Sequence, residues 1–230
     1  NNNVILFGDE AIILKNIGTT VVSKNKLDGV KYIENLNSKK KNYDIIVMDD
    51  GLQNYSIEKD LCFLTVDRKS LFGNEFCLPS GPLRQSFNSC KKNINKIILT
   101  GNRNIKKNKN IFNEDTLNSY IKVDKVSVRK KYLAFSGLGN NQKFLDTLKS
   151  ANYNIALIKE FEDHHNYKEN EIIDLITLAN DNNLTLITTE KDIVKIPKKY
   201  HLKIKYLKMK IEFDKNDLTS LRLLLKQKLN

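Results

Sequence analysis

Asp44-Ile45-Ile46-Val47-Met48-Asp49-Asp50-Gly51-Leu52-Gln53 is an apolar run that stops abruptly at two adjacent acids, a glycine and an amide. Four consecutive apolar residues without alternation predict a strand buried on both faces, the kind found in parallel sheets covered by helices. Ligands of such sheets gather at the carboxyl ends of the strands, which is where this run places Asp49 and Asp50. Two carboxylates there suit a hard cation such as Mg²⁺, which takes one or two protein carboxylates and leaves its other positions to water and phosphate oxygens. From this stretch alone, an acidic turn without a ligand reads equally well.

On either side of the run, apolar strand patterns alternate with helical ones. Strands are expected at Val4 to Phe7, Thr20 to Ser23, Asp44 to Asp49, Cys62 to Asp67, Lys96 to Thr100, Tyr132 to Ser136, Ile155 to Ile158, Leu184 to Thr188 and Ile204 to Leu207. Helices are expected at Glu10 to Lys15, Leu27 to Leu36, Gln142 to Ser150, Glu169 to Asn182 and Asn216 to Leu229. In the Glu169 helix, Ile172, Ile173, Ile176 and Ala179 recur at helical spacing and form a core-facing stripe. Such alternation means an α/β architecture with mostly parallel sheets. The lysine- and asparagine-rich stretch from Gly101 to Lys131 has weak periodicity and reads as a connection. It suggests two domains, 1–128 and 129–230.

A chain of 230 residues can bury one large core or two modest ones, and 40% hydrophobic with 29% charged residues is ordinary for a globular protein. The formal charge of +12 invites a nucleic-acid reading. Lysine greatly outnumbers arginine, however, and asparagine and isoleucine abound, as A/T-rich codon usage would produce, so no nucleic-acid partner is expected. The charge remains compatible with an anionic membrane surface or a phosphorylated substrate. Cys62, Cys77 and Cys90 are odd in number and lack metal-type spacing, which suits reduced thiols in a cytosolic compartment. No apolar stretch approaches the roughly 20 residues of a spanning helix, so any membrane contact is expected to be peripheral.

Four segments are more specific together than apart. They are Gly8-Asp9-Glu10-Ala11; Asp49-Asp50-Gly51-Leu52-Gln53; Phe72-Gly73-Asn74 with Leu78-Pro79-Ser80-Gly81-Pro82-Leu83-Arg84; and Asp163-His164-His165 followed by Thr188-Thr189-Glu190-Lys191-Asp192. Their order and spacing resemble the tetraacyldisaccharide 4'-kinase family, as does the Phe135-Ser136-Gly137-Leu138-Gly139-Asn140 turn. The resemblance runs from about Gly8 to Ile196. It implies a P-loop NTPase-like core with a second, smaller α/β domain, use of ATP and Mg²⁺, and phosphorylation of the 4'-hydroxyl of the lipid A disaccharide precursor. It also implies a monomer, peripheral on the cytoplasmic face of the inner membrane. The Gly-x-x-x-x-Gly-Lys-Ser/Thr loop that cradles phosphates does not occur in these residues. In the family it lies upstream of Gly-Asp-Glu, so the chain is expected to lack an N-terminal part.

The resemblance assigns roles residue by residue. Asp49 and Asp50 match the acids on the metal and phosphate side, with Gln53 on the same turn for a metal-bound water. Asp9 matches the aspartate that pairs with a histidine of the second domain, here His164, to activate the sugar hydroxyl. The residue-level alternatives are that Asp9 only caps its helix and that His164 is an ordinary loop histidine. Lys24 and Lys26 occupy the place of an Arg-x-Arg pair that contacts the anionic lipid; lysines keep the charge but lose the bidentate fork. Asn74 and Arg84 lie in a turn-rich loop suited to wrapping the substrate, and Gln85 stands where the family carries an acid, which puts a metal role there in doubt. Lys191 is expected to reach ligand phosphates or to pair with Glu190 or Asp192.

Two other classes deserve comparison with the kinase. A non-catalytic α/β module or pseudoenzyme binding anionic lipid or nucleic acid fits the absent phosphate-cradling loop. A haloacid-dehalogenase-type phosphatase requires Asp-x-Asp after the strand, which Asp49-Asp50-Gly51 does not supply.

Overall fold

The computed structural model describes residues 6–38, 43–103, 105, 115–123 and 130–229. In chain order its elements are α1 (Asp9–Lys15), α2 (Lys26–Ser38), β1 (Phe63–Asp67), α3 (Phe87–Cys90), β2 (Lys96–Thr100), β3 (Thr116–Val123), β4 (Lys131–Ser136), α4 (Asn141–Ser150), β5 (Asn154–Glu160), α5 (Glu169–Asp181), β6 (Thr185–Thr189), α6 (Glu190–Ile193), β7 (Ile204–Leu207), β8 (Met209–Phe213) and α7 (Lys215–Leu229). The chain forms two compact units: Asn1–Val22 with Val123–Met209, and Ser23–Lys122 with Lys210–Asn230. A single cut near residue 128 falls close to one of these crossings, but each unit also takes a segment from the far end of the chain.

In the first unit a four-stranded sheet has the order β5-β4-β6-β7, and each neighbouring pair is parallel. Strand β4 lies at its centre, with Tyr132, Leu133, Ala134 and Phe135 at most 1% exposed. The period of two sends Leu133 and Phe135 to one face, where Ile172, Leu175 and Ala179 of α5 cover them. Tyr132 and Ala134 go to the other face, under Phe144, Leu145 and Leu148 of α4. Full burial of each such Leu, Ile or Phe is worth about 1.5–3 kcal/mol, which makes this three-layer sandwich the principal core. Helix α4 begins where the Asn140 side chain accepts the Lys143 N–H at 3.1 Å.

The second unit carries a four-stranded sheet of order β1-β2-β3-β8, with β1, β2 and β3 parallel. Its core is smaller: Val66, Ile97 and Leu99, packed against Leu64, Leu71, Phe72, Phe87 and Ile94. Phe72 and Phe87 stack with centroids 4.8 Å apart and pin the loop after β1 to α3.

The α/β class with parallel pairing is as expected, but four segments differ. Residues Asp44 to Asp49 do not form a strand: they run without ladder bonds into a turn, and Ile45, Ile46 and Val47 are 52%, 42% and 89% exposed. A both-faces-buried strand needs neighbours on its edges, and among the described residues no strand pairs with this run. Thr20 to Ser23 are likewise outside any ladder. Of the strand expected at Val4 to Phe7, the first two residues lie outside the described residues, while Leu6 and Phe7 are helical. The stretch from Gly101 to Lys131, expected to be connection, contains β3; its inward positions include Thr116 and Ser119, so its burial leaves little hydrophobic signal.

Candidate active site

In the first unit, the chain turns into α1 at Gly8, whose φ of +82° favours glycine. The next residue, Asp9, is buried although charged. One carboxylate oxygen accepts the N–H of the next residue, Glu10, at 3.1 Å; the N-cap of the helix is Gly8, which has no side chain to cap with, so Asp9 does not serve as the helix cap. The other carboxylate oxygen, Oδ2, has no hydrogen-bond partner; it faces His164 Nδ1 at 3.7 Å and Lys195 Nζ at 3.8 Å. The cap-only reading of Asp9 therefore does not hold.

His164 sits in a tight turn with φ +56°, a left-handed conformation that histidine tolerates better than most residues. The His165 N–H closes this turn on the Glu162 carbonyl at 3.1 Å. The glycines after β4 let the facing loop come close. A Cβ on Gly137 would stand 3.0 Å from the Glu162 carbonyl oxygen and from His165 Cβ, and one on Gly139 would stand 2.9 Å from Asp163 Oδ2. The His164 imidazole is left 67% exposed, open to a ligand, whereas His165 is held by Glu171 at 3.0 Å and packs on Phe161 and Tyr167.

Beneath Asp9 lies a buried ionic cluster. Lys195 is 3% exposed and Asp192 not at all; Nζ donates to Asp192 Oδ1 at 3.3 Å. Asp192 also accepts the Gly137 N–H at 3.3 Å and the Thr189 hydroxyl at 2.7 Å, and its own N–H caps on Thr189 at 3.1 Å. Burial also pushes the Tyr167 phenol far up, helped by the negative charge of Asp192. Lys191 pairs with Glu10 rather than with Glu190 or Asp192. Its ammonium would be lowered by burial, but pairing with Glu10, with Asp9 and Asp163 nearby, raises it.

The second unit holds the other candidates. Asp49 and Asp50 form an exposed turn in which Asp50 has φ +49°. Lys26, at the start of α2, donates to both backbone carbonyls of this pair, at 3.0 Å in the case of Asp50. Lys24 is exposed just before it. Asp50 Oδ2 takes Arg84 Nη1 at 2.6 Å, and this hydrogen bond and charge raise the guanidinium further above its ordinary value. A cavity of about 240 Å³ opens here, with Asp50, Gln53, Asp67, Arg84 and Gln85 as its polar lining and β1, Phe72 and Phe87 behind. Gln85 accepts from the Tyr55 hydroxyl at 3.1 Å. Asn74 is turned to its own loop: its amide donates to the Ser80 carbonyl at 2.8 Å and accepts the Phe76 N–H at 3.2 Å.

The donor set fits Mg²⁺ in its usual sparse coordination, one or two carboxylates with the rest water and phosphate. Asp49 and Asp50 are two exposed, adjacent carboxylates; no group of three or more His, Cys, Asp or Glu converges among the described residues, here included. Arg84 is held by Asp50, and a guanidinium is a type of group that pairs with phosphate as well as with carboxylate. The structure thus brings Asp9 to His164, and Asp50 to Gln53 and Arg84. Lys195 and Asp192 form a cluster with Asp9; motif reading missed the first and took the second only as a possible partner of Lys191. The available signal was a lysine three residues after an acid inside the apolar run Ile193-Val194-Lys195-Ile196.

A model of the family described as Tetraacyldisaccharide-1-P 4'-kinase matches residues 1–229. Among curated relatives, a tetraacyldisaccharide 4'-kinase of Rickettsia akari is 38% identical over 192 residues, covering 82% of this chain and 57% of the relative. That of Rickettsia felis is 40% identical over 195 residues, with the same coverage. The chain therefore spans somewhat over half the length of the curated relatives it matches. The crystal structure of LpxK from Aquifex aeolicus in complex with ATP superposes with a TM-score of 0.57 at 19% identity, over 79% of this chain and 56% of that one. That likeness is one of fold, the P-loop kinase-like α/β arrangement.

Proposed function

Because the chain belongs to the tetraacyldisaccharide-1-P 4'-kinase family, we propose that it serves ATP- and Mg²⁺-dependent transfer of phosphate to the 4'-hydroxyl of the lipid A disaccharide precursor, from the cytoplasmic face of the inner membrane. The observation that carries this reading is the Asp9 carboxylate aimed at an exposed His164. With Nδ1 toward Asp9, the imidazole presents Nε2 outward, where it accepts the proton of the substrate hydroxyl. Asp9 fixes that tautomer and stabilises the imidazolium that forms. A separation of 3.7 Å is longer than a hydrogen bond, as is common before substrate closes the site. ATP and Mg²⁺, when bound, supply the phosphoryl group and neutralise its charge.

In the second unit, Asp49 and Asp50 hold the metal, Gln53 orients a water on it, and Arg84 exchanges Asp50 for phosphate. Lys26 has used two of its three N–H groups on the carbonyls of the acidic turn and keeps one for an anionic ligand, with Lys24 beside it. In the first unit, Lys191 exchanges Glu10 for a ligand phosphate, and Asn74 keeps the Gly73 to Arg84 loop in shape. No described helix is long and apolar enough to cross a membrane; peripheral membrane contact by a monomer is part of the proposal. The test is phosphate transfer from labelled ATP to the disaccharide in mixed micelles. Asp9→Ala and His164→Ala should each lower turnover about 10²–10⁴-fold with ATP binding unchanged. Full turnover in either variant, or none in the parent chain, refutes the assignment.

A further inference from the structure

We propose that Lys195 is a positioning residue of this site: its buried ammonium bridges Asp192 to Asp9 and sets the charge against which His164 takes up a proton. This rests on the Asp9–His164 reading above but concerns a group that never touches substrate.

A lysine with 3% side-chain exposure is costly unless paired, and this one lies between two carboxylates, 3.3 Å from Asp192 Oδ1 and 3.8 Å from Asp9 Oδ2. Asp192 is the fixed end. The cap of α6 and the Gly137 N–H hold it, so Lys195 is anchored to the body of the sheet rather than to a mobile loop. Asp9 Oδ2 is the free end: it is buried, it has no hydrogen bond, and the two nitrogens near it are those of Lys195 and His164. One of the three ammonium hydrogens is used on Asp192, which leaves others for Asp9.

The charges explain what this arrangement does. Asp9, Asp192 and Lys195 together carry one net negative charge. A proton arriving on His164 makes the group neutral, whereas without Lys195 the same pocket would hold two uncompensated carboxylates. Lys195 therefore offsets part of the negative charge that Asp9 and Asp192 would otherwise present to the His164 imidazole. Other charged or titratable groups of this pocket are Glu10 on the Asp9 helix, Lys191 from α6, Asp163 beside His164, and Tyr167, which faces Asp192. All are unchanged in the test below.

The test is an NMR titration of the imidazole C–H signals in the whole chain, which contains three histidines, so that His164→Gln identifies the signal of interest. Lys195→Met should move the His164 midpoint up by about half a unit to one unit, since a nearby cation is lost from a ring that is itself largely solvated. Lys195→Arg should restore it. Lys195→Gln, which keeps a donor for Asp192, provides the same comparison if the methionine variant does not fold. A midpoint that stays within 0.1 unit of the parent overturns the proposal, as does a shift that arginine fails to reverse. Phosphate transfer is measured alongside: kcat should fall about tenfold in Lys195→Met, with the KM for ATP unchanged. A moved midpoint without any change in kcat would sink the role of His164 as base while leaving the Lys195 coupling in place.

Discussion

Replacing Asp192 with alanine should be among the most destabilising single changes in the first unit. The carboxylate is fully buried and serves three donors: Lys195 at 3.3 Å, the Gly137 N–H at 3.3 Å and the Thr189 hydroxyl at 2.7 Å. Deleting it leaves an ammonium at 3% exposure and an orphaned backbone N–H. Breaking a buried pair from one side costs about 3–5 kcal/mol. Asp9 remains 3.8 Å from the same ammonium, which places the expected loss near the lower end, about 3 kcal/mol. The assay is urea denaturation combined with amide exchange at Leu133 and Leu186, whose strands β4 and β6 report on this unit. Asp192→Asn combined with Lys195→Met removes the buried charges together and should recover about 1–2 kcal/mol relative to Asp192→Ala. An Asp192→Ala loss below about 1 kcal/mol, or a double variant no more stable than the single, would show that the pair does not hold this unit together.

Two further perturbations act on the loop that carries His164. Glu171 accepts the Lys168 N–H at 2.7 Å and pairs with His165 at 3.0 Å, and these contacts, the backbone one first, hold its carboxyl below the ordinary value. A folded value lowered below the unfolded one gives stability that is full above the unfolded pKa and is lost as pH falls through the folded one. Thermal melts should thus converge between the parent and Glu171→Gln on going from about pH 5 to about pH 3, having differed by about 1 kcal/mol at pH 7; a constant difference refutes the linkage. Gly137→Ala pushes a methyl to 3.0 Å from the Glu162 carbonyl and His165 Cβ, so the His164 turn must give by a few tenths of an ångström. Turnover should fall about tenfold while stability drops by about 1 kcal/mol. An unaffected turnover would mean that the turn does not govern the distance to Asp9.

From β4 onward the first unit was legible because its signals are local, whereas its opening segment was not: Leu6 and Phe7 are helical and Thr20 to Val22 join no ladder. Strands β4 and β7 lie on the expected apolar runs, and α5 starts at Glu169 as expected, with Ile172 and Ala179 on the buried stripe and Ile173 exposed beside it. In the second unit the period of hydrophobicity misled in both directions. Strand β3 buries Thr116 and Ser119, which carry no apolar signal, whereas Ile45, Ile46 and Val47 carry that signal with nothing to pair against. A helix forms its hydrogen bonds within its own segment, but a strand exists only through a neighbour, so an isolated apolar run fixes propensity and not pairing.

The same distinction divides the site. The acidic turn at Asp49 and Asp50 keeps a defined conformation without its strand because its supports are short-range or few: a left-handed Asp50, two carbonyls capped by Lys26, and one carboxylate taken by Arg84. Asp9 and His164 could be matched to one another through flanking residues that have distinctive types and spacing. Lys195 had no such handle. In the chain it is one of many lysines, and it becomes exceptional only when α1 brings Asp9 to within 3.8 Å of an ammonium already anchored on Asp192. Residues proposed to meet a ligand are thus partly readable from the motif they sit in, whereas one proposed to act by sharing charge with them is defined by three-dimensional burial.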